Sequence, residues 1–472
     1  VAFFNDVGKR LIFDDCDARL KIKVNWRQIL LGLYSALCGI YFQPLEAFAE
    51  DVLRFTSPSP WQVVQRESAN SGVVVVAGTA PEGGSSIELL LTNGHKSLIA
   101  HEKSGLASGQ AFSIDLTIPA GGWYSLAARV RNASQQIIAV GQVSPIGVGE
   151  VFVAAGQSNS NNCCGESPQK ATSKLVSGGF LINGSDQPPV LRWSETIDGG
   201  PLAPGGSTTG GGGGPWPAFA SRLAERLHLP VAVVQIGCGG TTSQDWLPNE
   251  PMQPIPDLTN ITYKPEIGLW TYSGTAIPDC GADAKRPGAL YNRLAVTAKQ
   301  LAKFRAVLWD QGESDMLNIF FTRAFSHWQV PQQPGDYFSH MATIIARLNK
   351  DTGVPVHWLV AQASYMSGFE VDPATCIPNG KPWQYQKMMD PVIADQQALV
   401  AKGLALAGPS TDILVGAIPR APGKTYRYAG PTGRCLHFSN AGLTELGDAW
   451  QVAVWHSHLL PVVDSHSNRA GQ

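Results

Sequence analysis

Neither sign of charge is in surplus in this chain: 35 Lys and Arg face 37 Asp and Glu, a formal net charge of -2 over 472 residues. Without a basic field to neutralise phosphates, nucleic acid and acidic membrane surfaces are poor partners. Metal-binding patterns are missing as well, since no CxxC pair and no HExxH occurs. The usual sequence support for a zinc site is therefore absent, and no cofactor is expected. Long apolar runs are scarce. The stretch ILLGLYSALCGIYF, residues 29–42, falls short of the roughly 20 residues of a comfortable membrane span. Arg19, Lys21, Lys23 and Arg27 precede it and the tripeptide AFA follows at 47–49. That order reads as an export signal cut after Ala49, so residues 1–49 form an export signal region and the remainder is expected to be periplasmic or secreted. Cysteine is sparse. Setting aside Cys16 and Cys38 leaves Cys163, Cys164, Cys238, Cys280, Cys376 and Cys435, an even set that suggests disulfides in an exported chain.

Glycine, proline and tryptophan, at 50, 33 and 13 residues, are plentiful and point to long structured loops. Residues 50–146 contain short β-rich runs, GVVVVAGTA, SSIELLLTNG, AFSIDLTIPAGG, WYSLAARVRNAS and QQIIAVGQVSPIG. Turn residues separate them at the spacing of a small sandwich, so an all-β sandwich-like accessory domain is expected there. From residue 147 to 472 the pattern changes. The runs EVFVAAG, PVAVVQIG, RAVLWDQG, PVHWLVAQAS and DILVGAIP (the last at 412–419) alternate with helical stretches. In the helix that begins at Ala289, Leu290, Leu294, Ala298 and Leu301 share one face. Such βα alternation predicts an α/β domain with a parallel, doubly wound sheet, which binds ligands beyond the carboxyl ends of its strands. Two long loops interrupt it, a glycine tract at 201–217 and a wall-like segment at 247–288.

Four polar clusters fall at the strand ends: GQSNS, IGCGGTTSQDW, WDQGESD and GRCLHFSNAG. Alone, each reads as turn chemistry, because a serine after a glycine is more often a cap than a nucleophile. One sheet edge would gather all four. A serine hydroxyl attacks well only when an imidazole takes its proton, and the tetrahedral oxyanion needs N–H or amide donors aimed at it. Ser158 fits the nucleophile and His437 the base. Ser158, Gly239 or Gly240, and Gln311 fit the oxyanion hole. Trp246, Trp216, Trp193 and Trp270 are candidate sugar-stacking platforms.

These clusters resemble the ordered blocks of the SGNH hydrolases, most closely the branch of sialate O-acetylesterases and related carbohydrate acetylesterases. The matching residues are Gly156-Gln157-Ser158-Asn159, Gly239-Gly240-Thr241 with Trp246, Gln311-Gly312-Glu313-Ser314, and His437. The resemblance covers about residues 147–460. It implies a flavodoxin-like three-layer fold, Ser158 and His437 as catalytic pair, and metal-independent removal of O-acetyl groups from a carbohydrate. Gln157 and Asn159, with Trp246 and Trp216, become expected substrate contacts. One departure concerns the acid that orients the histidine. Arg434 stands three residues before His437, and a guanidinium cannot accept an imidazole N–H. Glu313, Asp412 and Asp315 are the candidates, in that order. Cys163, Cys164, Cys238 and Cys435 lie beside these motifs, so a disulfide among them would brace the active-site loops. Two other functions fit the same scaffold, an O-acetyltransferase acting between glycans and a non-catalytic polysaccharide-binding protein.

Overall fold

The computed structural model describes residues 51–461. It excepts 183–188, 199–211, 257–260, 265–268, 273–274, 277–285, 325–330, 367–370, 379–385, 431–432 and single positions 95, 163, 196, 252, 254 and 373. The export-signal region and much of both long loops lie outside the described residues. The described residues belong to one compact unit.

Its first part is built from strands with a period of two. They are β1 (Val63–Gln65), β2 (Ser71–Thr79), β3 (Ser86–Asn93), β4 (Lys96–Ser104), β5 (Ala111–Pro119) and β6 (Gly121–Arg131). Along β5 exposed and buried residues alternate strictly, so Phe112, Ile114, Leu116 and Ile118 turn inward. They meet Val74 and Val76 of β2 and Ile87, Leu89 and Leu91 of β3 in a shared apolar core. The next strand, β7 (Ile137–Gly156), is 20 residues long and pairs antiparallel with β6 through its first half. Its second half enters a different sheet. The junction expected at residue 147 therefore falls inside a continuous strand, and the two parts share a backbone rather than a linker.

The second part is a mixed α/β structure. Its strands are the end of β7, β8 (Val176–Ile182), β9 (Val190–Ser194), β10 (Val231–Gln235), β11 (Ala306–Asp310), β12 (Trp358–Gln362) and β13 (Leu406–Ser410). The order across the sheet is β9-β8-β10-β7-β11-β12-β13. All neighbours are parallel except β8 and β9. Val151, Val153 and Ala155 of β7 face one apolar cluster while Phe152 and Ala154 face another. Both faces are therefore covered, which is why the central strands read as unbroken apolar runs. Helices α1 (Trp216–Leu227) and α6 (Asn440–His456) cover the Phe152 face. The Val153 face carries α2 (Ala289–Leu301), α3 (Glu313–Ala324), α4 (Asp336–Thr352) and α5 (Gln386–Ala401).

Chain order and sheet order part company at β7. The chain lays β8 and β10 on one side of it, then crosses to β11 on the other. Such a switch opens a crevice at the carboxyl ends of the flanking strands, and three of the four motifs follow β7, β10 and β11. The strand expected at 412–419 is a correction: that segment holds turns, and β13 lies earlier, at Leu406–Ser410. The residues of β13, LAGPS, carry little β propensity, and a proline is tolerated because the strand lies at the sheet's edge.

Candidate active site

Ser158 begins a single 3₁₀ turn, Ser158–Ser160, directly after β7. Gly156 makes this exit possible. Its φ is +120°, and a Cβ there would sit 2.1 Å from the carbonyl oxygen of Asp310 on the neighbouring strand. Gln157 N–H donates to that same carbonyl at 2.9 Å. The Gln157 side chain is buried, and its Oε1 accepts from Gln311 Nε2 at 2.9 Å and from Ser314 N–H at 3.1 Å. The loops after β7 and β11 are thus stitched together behind the serine. Gly312 plays the matching part just after β11, with φ +155° and a would-be Cβ 1.7 Å from Ala363 O. Ser160 is structural: its Oγ donates to Gln157 O at 2.7 Å, and its own carbonyl accepts from Trp216 Nε1 at 2.8 Å.

Ser158 Oγ lies 3.0 Å from His437 Nε2. That contact spans 279 residues of sequence and joins the outermost two motifs. With Nε2 unprotonated, the imidazole is placed to take the hydroxyl proton. The turn after β10 completes the crevice. Cys238 N–H donates to Gly156 O at 2.8 Å, which lays residues 237–240 alongside 156–160. Among the described residues, the N–H groups of Ser158, Gly239 and Gly240 donate to no acceptor. Gly240 is held at φ +77°.

Gln311, expected in the oxyanion hole, is placed differently. Its Nε2 is surrounded by Gln157 Oε1, Thr241 O at 2.5 Å and Asp315 Oδ2 at 3.0 Å. An amide has two hydrogens, and both are used inside the protein. Trp246 and Trp216 are corrected as stacking platforms, because both indoles are fully buried. Trp246 packs edge-on against Trp309 and donates to Thr241 Oγ1 at 3.2 Å. Trp193 packs against the core, and the side chain of Trp270 lies outside the described residues. Gln157 and Asn159 are buried too, and they brace loops rather than line a surface.

The three candidate acids all bond away from His437. Glu313 Oε1 accepts from Asn159 Nδ2 at 2.7 Å. Asp412 binds Ser364 N–H, Ser364 Oγ and Tyr365 N–H at 2.8, 2.6 and 2.8 Å. Asp315 accepts from Ser243, Gln311 and Gln332. Burial raises the pKa of Glu313 to about 7, with Asp412 adding to the rise, and burial with the neighbouring Glu313 raises that of Asp310 well above the carboxylate range. Both oxygens of Asp310 and Oε2 of Glu313 are buried without a hydrogen-bond partner. Two buried carboxyls whose ionised forms are disfavoured therefore lie beside the nucleophile loop.

Between Ser410 and Asn440, the segment that carries His437 has no helix or extended strand among its described residues. Arg434 and Cys435 both adopt left-handed backbone, φ +47° and +54°. Cys435 is bonded to Cys376, so the motif cysteine nearest the histidine pairs with a cysteine outside the motifs. Cys164 and Cys238 are disulfide-bonded as well. After the histidine, Ser439 Oγ caps α6 by accepting from Gly442 N–H at 3.0 Å. A separate groove of about 1010 Å³ lies between β13 and α6, lined by Ile413, Tyr426, Glu445 and Val452 among others, and contains neither Ser158 nor His437. Sequence reasoning missed α3 and Arg427, and it named Cys376 without its partner Cys435. Only α3 left a signal, the acidic first turn at Glu313 and Asp315.

Residues 148–370 match the family model described as SASA: carbohydrate esterase, sialic acid-specific acetylesterase. The matched segment includes Ser158, the glycine pair and Gln311–Ser314, so the resemblance to this carbohydrate esterase family holds. Among solved structures, the chain is similar to a novel carbohydrate acetylesterase from Xanthomonas citri, with 15% identity and a TM-score of 0.50. That match covers 86% of this chain and 75% of the other, and the likeness is one of fold. A protein from Arabidopsis thaliana is matched at 17% identity and a TM-score of 0.35, over 66% of this chain and 99% of that one. No curated protein matches the sequence.

Proposed function

We propose that the protein is an exported serine esterase that removes O-acetyl groups from a carbohydrate. The observation that carries this reading is the 3.0 Å hydrogen bond between Ser158 Oγ and His437 Nε2 at the sheet's switch point. His437 takes the proton as Ser158 Oγ attacks the acetyl carbonyl. The oxyanion is met by the unused N–H groups of Ser158 and of Gly239 or Gly240. His437 then gives its proton to the departing sugar hydroxyl, leaving an acetyl-enzyme. Water, deprotonated by the same imidazole, releases acetate. Glu313 is assigned to hold Asn159, and through it the nucleophile loop.

In this proposal residues 147–472 form a flavodoxin-like three-layer SGNH-type domain and 50–146 a sandwich-like accessory domain. Residues 1–49 direct export to the periplasm or beyond. The substrate class, an acetylated poly- or oligosaccharide, is supported by the carbohydrate esterase family match. The test is acetate release from acetylated xylan, pectin, mannan and O-acetylated sialic acid. Turnover of at least one, lost in Ser158→Ala, is expected. A Ser158→Ala protein that still releases acetate at the parental rate refutes the assignment.

A further inference from the structure

We infer that Arg427 is a positioning residue for His437, a role that rests on the Ser158–His437 reading above. The side chain is 1% exposed, on the same irregular segment as the histidine. Its Nη1 donates to the carbonyl of Leu436, the residue before His437. Its guanidinium carbon lies 4.3 Å from the ring centroid of Phe438, the residue after His437. One side chain therefore grips both neighbours of the base, the first by a hydrogen bond and the second through its ring.

The grip is itself anchored. Nε donates to Leu414 O at 3.1 Å and Nη2 to Thr411 O at 3.0 Å, tying the histidine's neighbours to the segment that follows β13. A second ring, that of Tyr365, lies 4.3 Å from the guanidinium carbon. Tyr365 is held at its backbone by Asp412, so that candidate acid acts on this clamp rather than on the imidazole. Asp310, Glu313 and Asp412 all act electrostatically on Arg427, and Glu313 is bonded to Asn159, next in sequence to Ser158. Arg427 thus feels the acids behind the serine while it holds the turn that presents the imidazole.

Only a planar fork can reach three carbonyls in different directions and still lie against two rings. A lysine would keep the charge that faces the acids but not the three-way grip. Arg427→Lys therefore separates positioning from charge balance, and it retains what folding needs of the cation. The protein would be assayed for kcat and KM on a soluble acetyl ester, and for the rate at which a fluorophosphonate labels Ser158. A folded Arg427→Lys protein is expected to lose about 10- to 100-fold in kcat, with KM within about twofold, because small displacements of a base are costly. Its labelling should slow by a similar factor, since labelling also needs the base. Parental kcat, or labelling at the parental rate, overturns the role. Should Arg427→Lys fail to fold, Tyr365→Leu, which removes one ring and no charge, is read in the same way with the same two outcomes. Failure of the underlying reading looks different: Ser158→Ala and His437→Ala would then keep parental turnover.

Discussion

The two halves of the proposed catalytic pair are held in opposite ways. Ser158 is carried by regular structure: β7 ends at Gly156, and the next residue bonds backbone and side chain to the end of β11. His437 is carried by a segment whose described residues form no helix and only isolated bridges, such as Arg427 with Phe438. Its turn is fixed by two left-handed residues, a cystine to Cys376 and the Arg427 clamp. A parallel sheet supplies rigidity through repetition, because every strand presents its end in the same place. A loop has no such repeat and must recruit distant partners one at a time. The serine side should therefore break mainly through backbone crowding, and the histidine side through loss of single side chains.

The largest effects fall on the pair itself. Ser158→Ala and His437→Ala are each expected to lower kcat/KM on an acetyl ester by about 10³-fold or more, with the melting temperature little changed. Because the two act as one unit, the double variant should be no worse than either single one. Next comes Gly156→Ala. The added Cβ has nowhere to go between β7 and β11, so a loss of about 3 kcal/mol or more is expected in denaturant unfolding. A smaller effect, on the histidine side, follows from Cys376→Ser with Cys435→Ser. Opening a link that spans 59 residues should cost about 2–4 kcal/mol of stability. It should also lower kcat several-fold in the protein that remains folded. If the same change leaves kcat untouched, the cystine does not help to aim His437.

Glu313→Gln is the mildest. Glu313 has its pKa raised to about 7 from 4.5 by burial. Between those values the folded protein keeps a proton that the unfolded chain has released, so stability falls as pH rises through that window. Glutamine removes the titration and still offers an oxygen to Asn159. Comparing unfolding at pH 5 and pH 8 should show a pH-dependent loss in the parent that shrinks by about 1–3 kcal/mol in the variant. Activity within about tenfold of the parent is expected if Glu313 braces Asn159. A fall as large as that of His437→Ala would make it the histidine's acid instead.

How much of this was legible in the sequence follows the same division. The strands β7, β10 and β11 could be read because both faces of each are buried, and their end motifs followed from parallel topology. The pairing of Ser158 with His437 was also within reach, since both chemistry and motif order demanded it. The clamp on the histidine was not. Arg427 looks like any surface arginine until Tyr365 and Phe438 are seen beside it, and Cys376 lies in a segment without a recognisable pattern. Trp246 and Trp216 misled for a related reason. An indole in a motif can stack on a sugar or fill the core, and here Trp309 and Phe219 claim them. Gln311 erred through its own bonding capacity, its amide being consumed by Gln157, Thr241 and Asp315.

The most direct test of the Ser158–His437 pair is to map the site at which a fluorophosphonate labels the folded protein, in the parent and in His437→Ala. A single adduct on Ser158 is expected, formed at least about 10²-fold more slowly once His437 is removed. An adduct on another residue, or labelling of Ser158 at the parental rate without His437, would contradict that pairing.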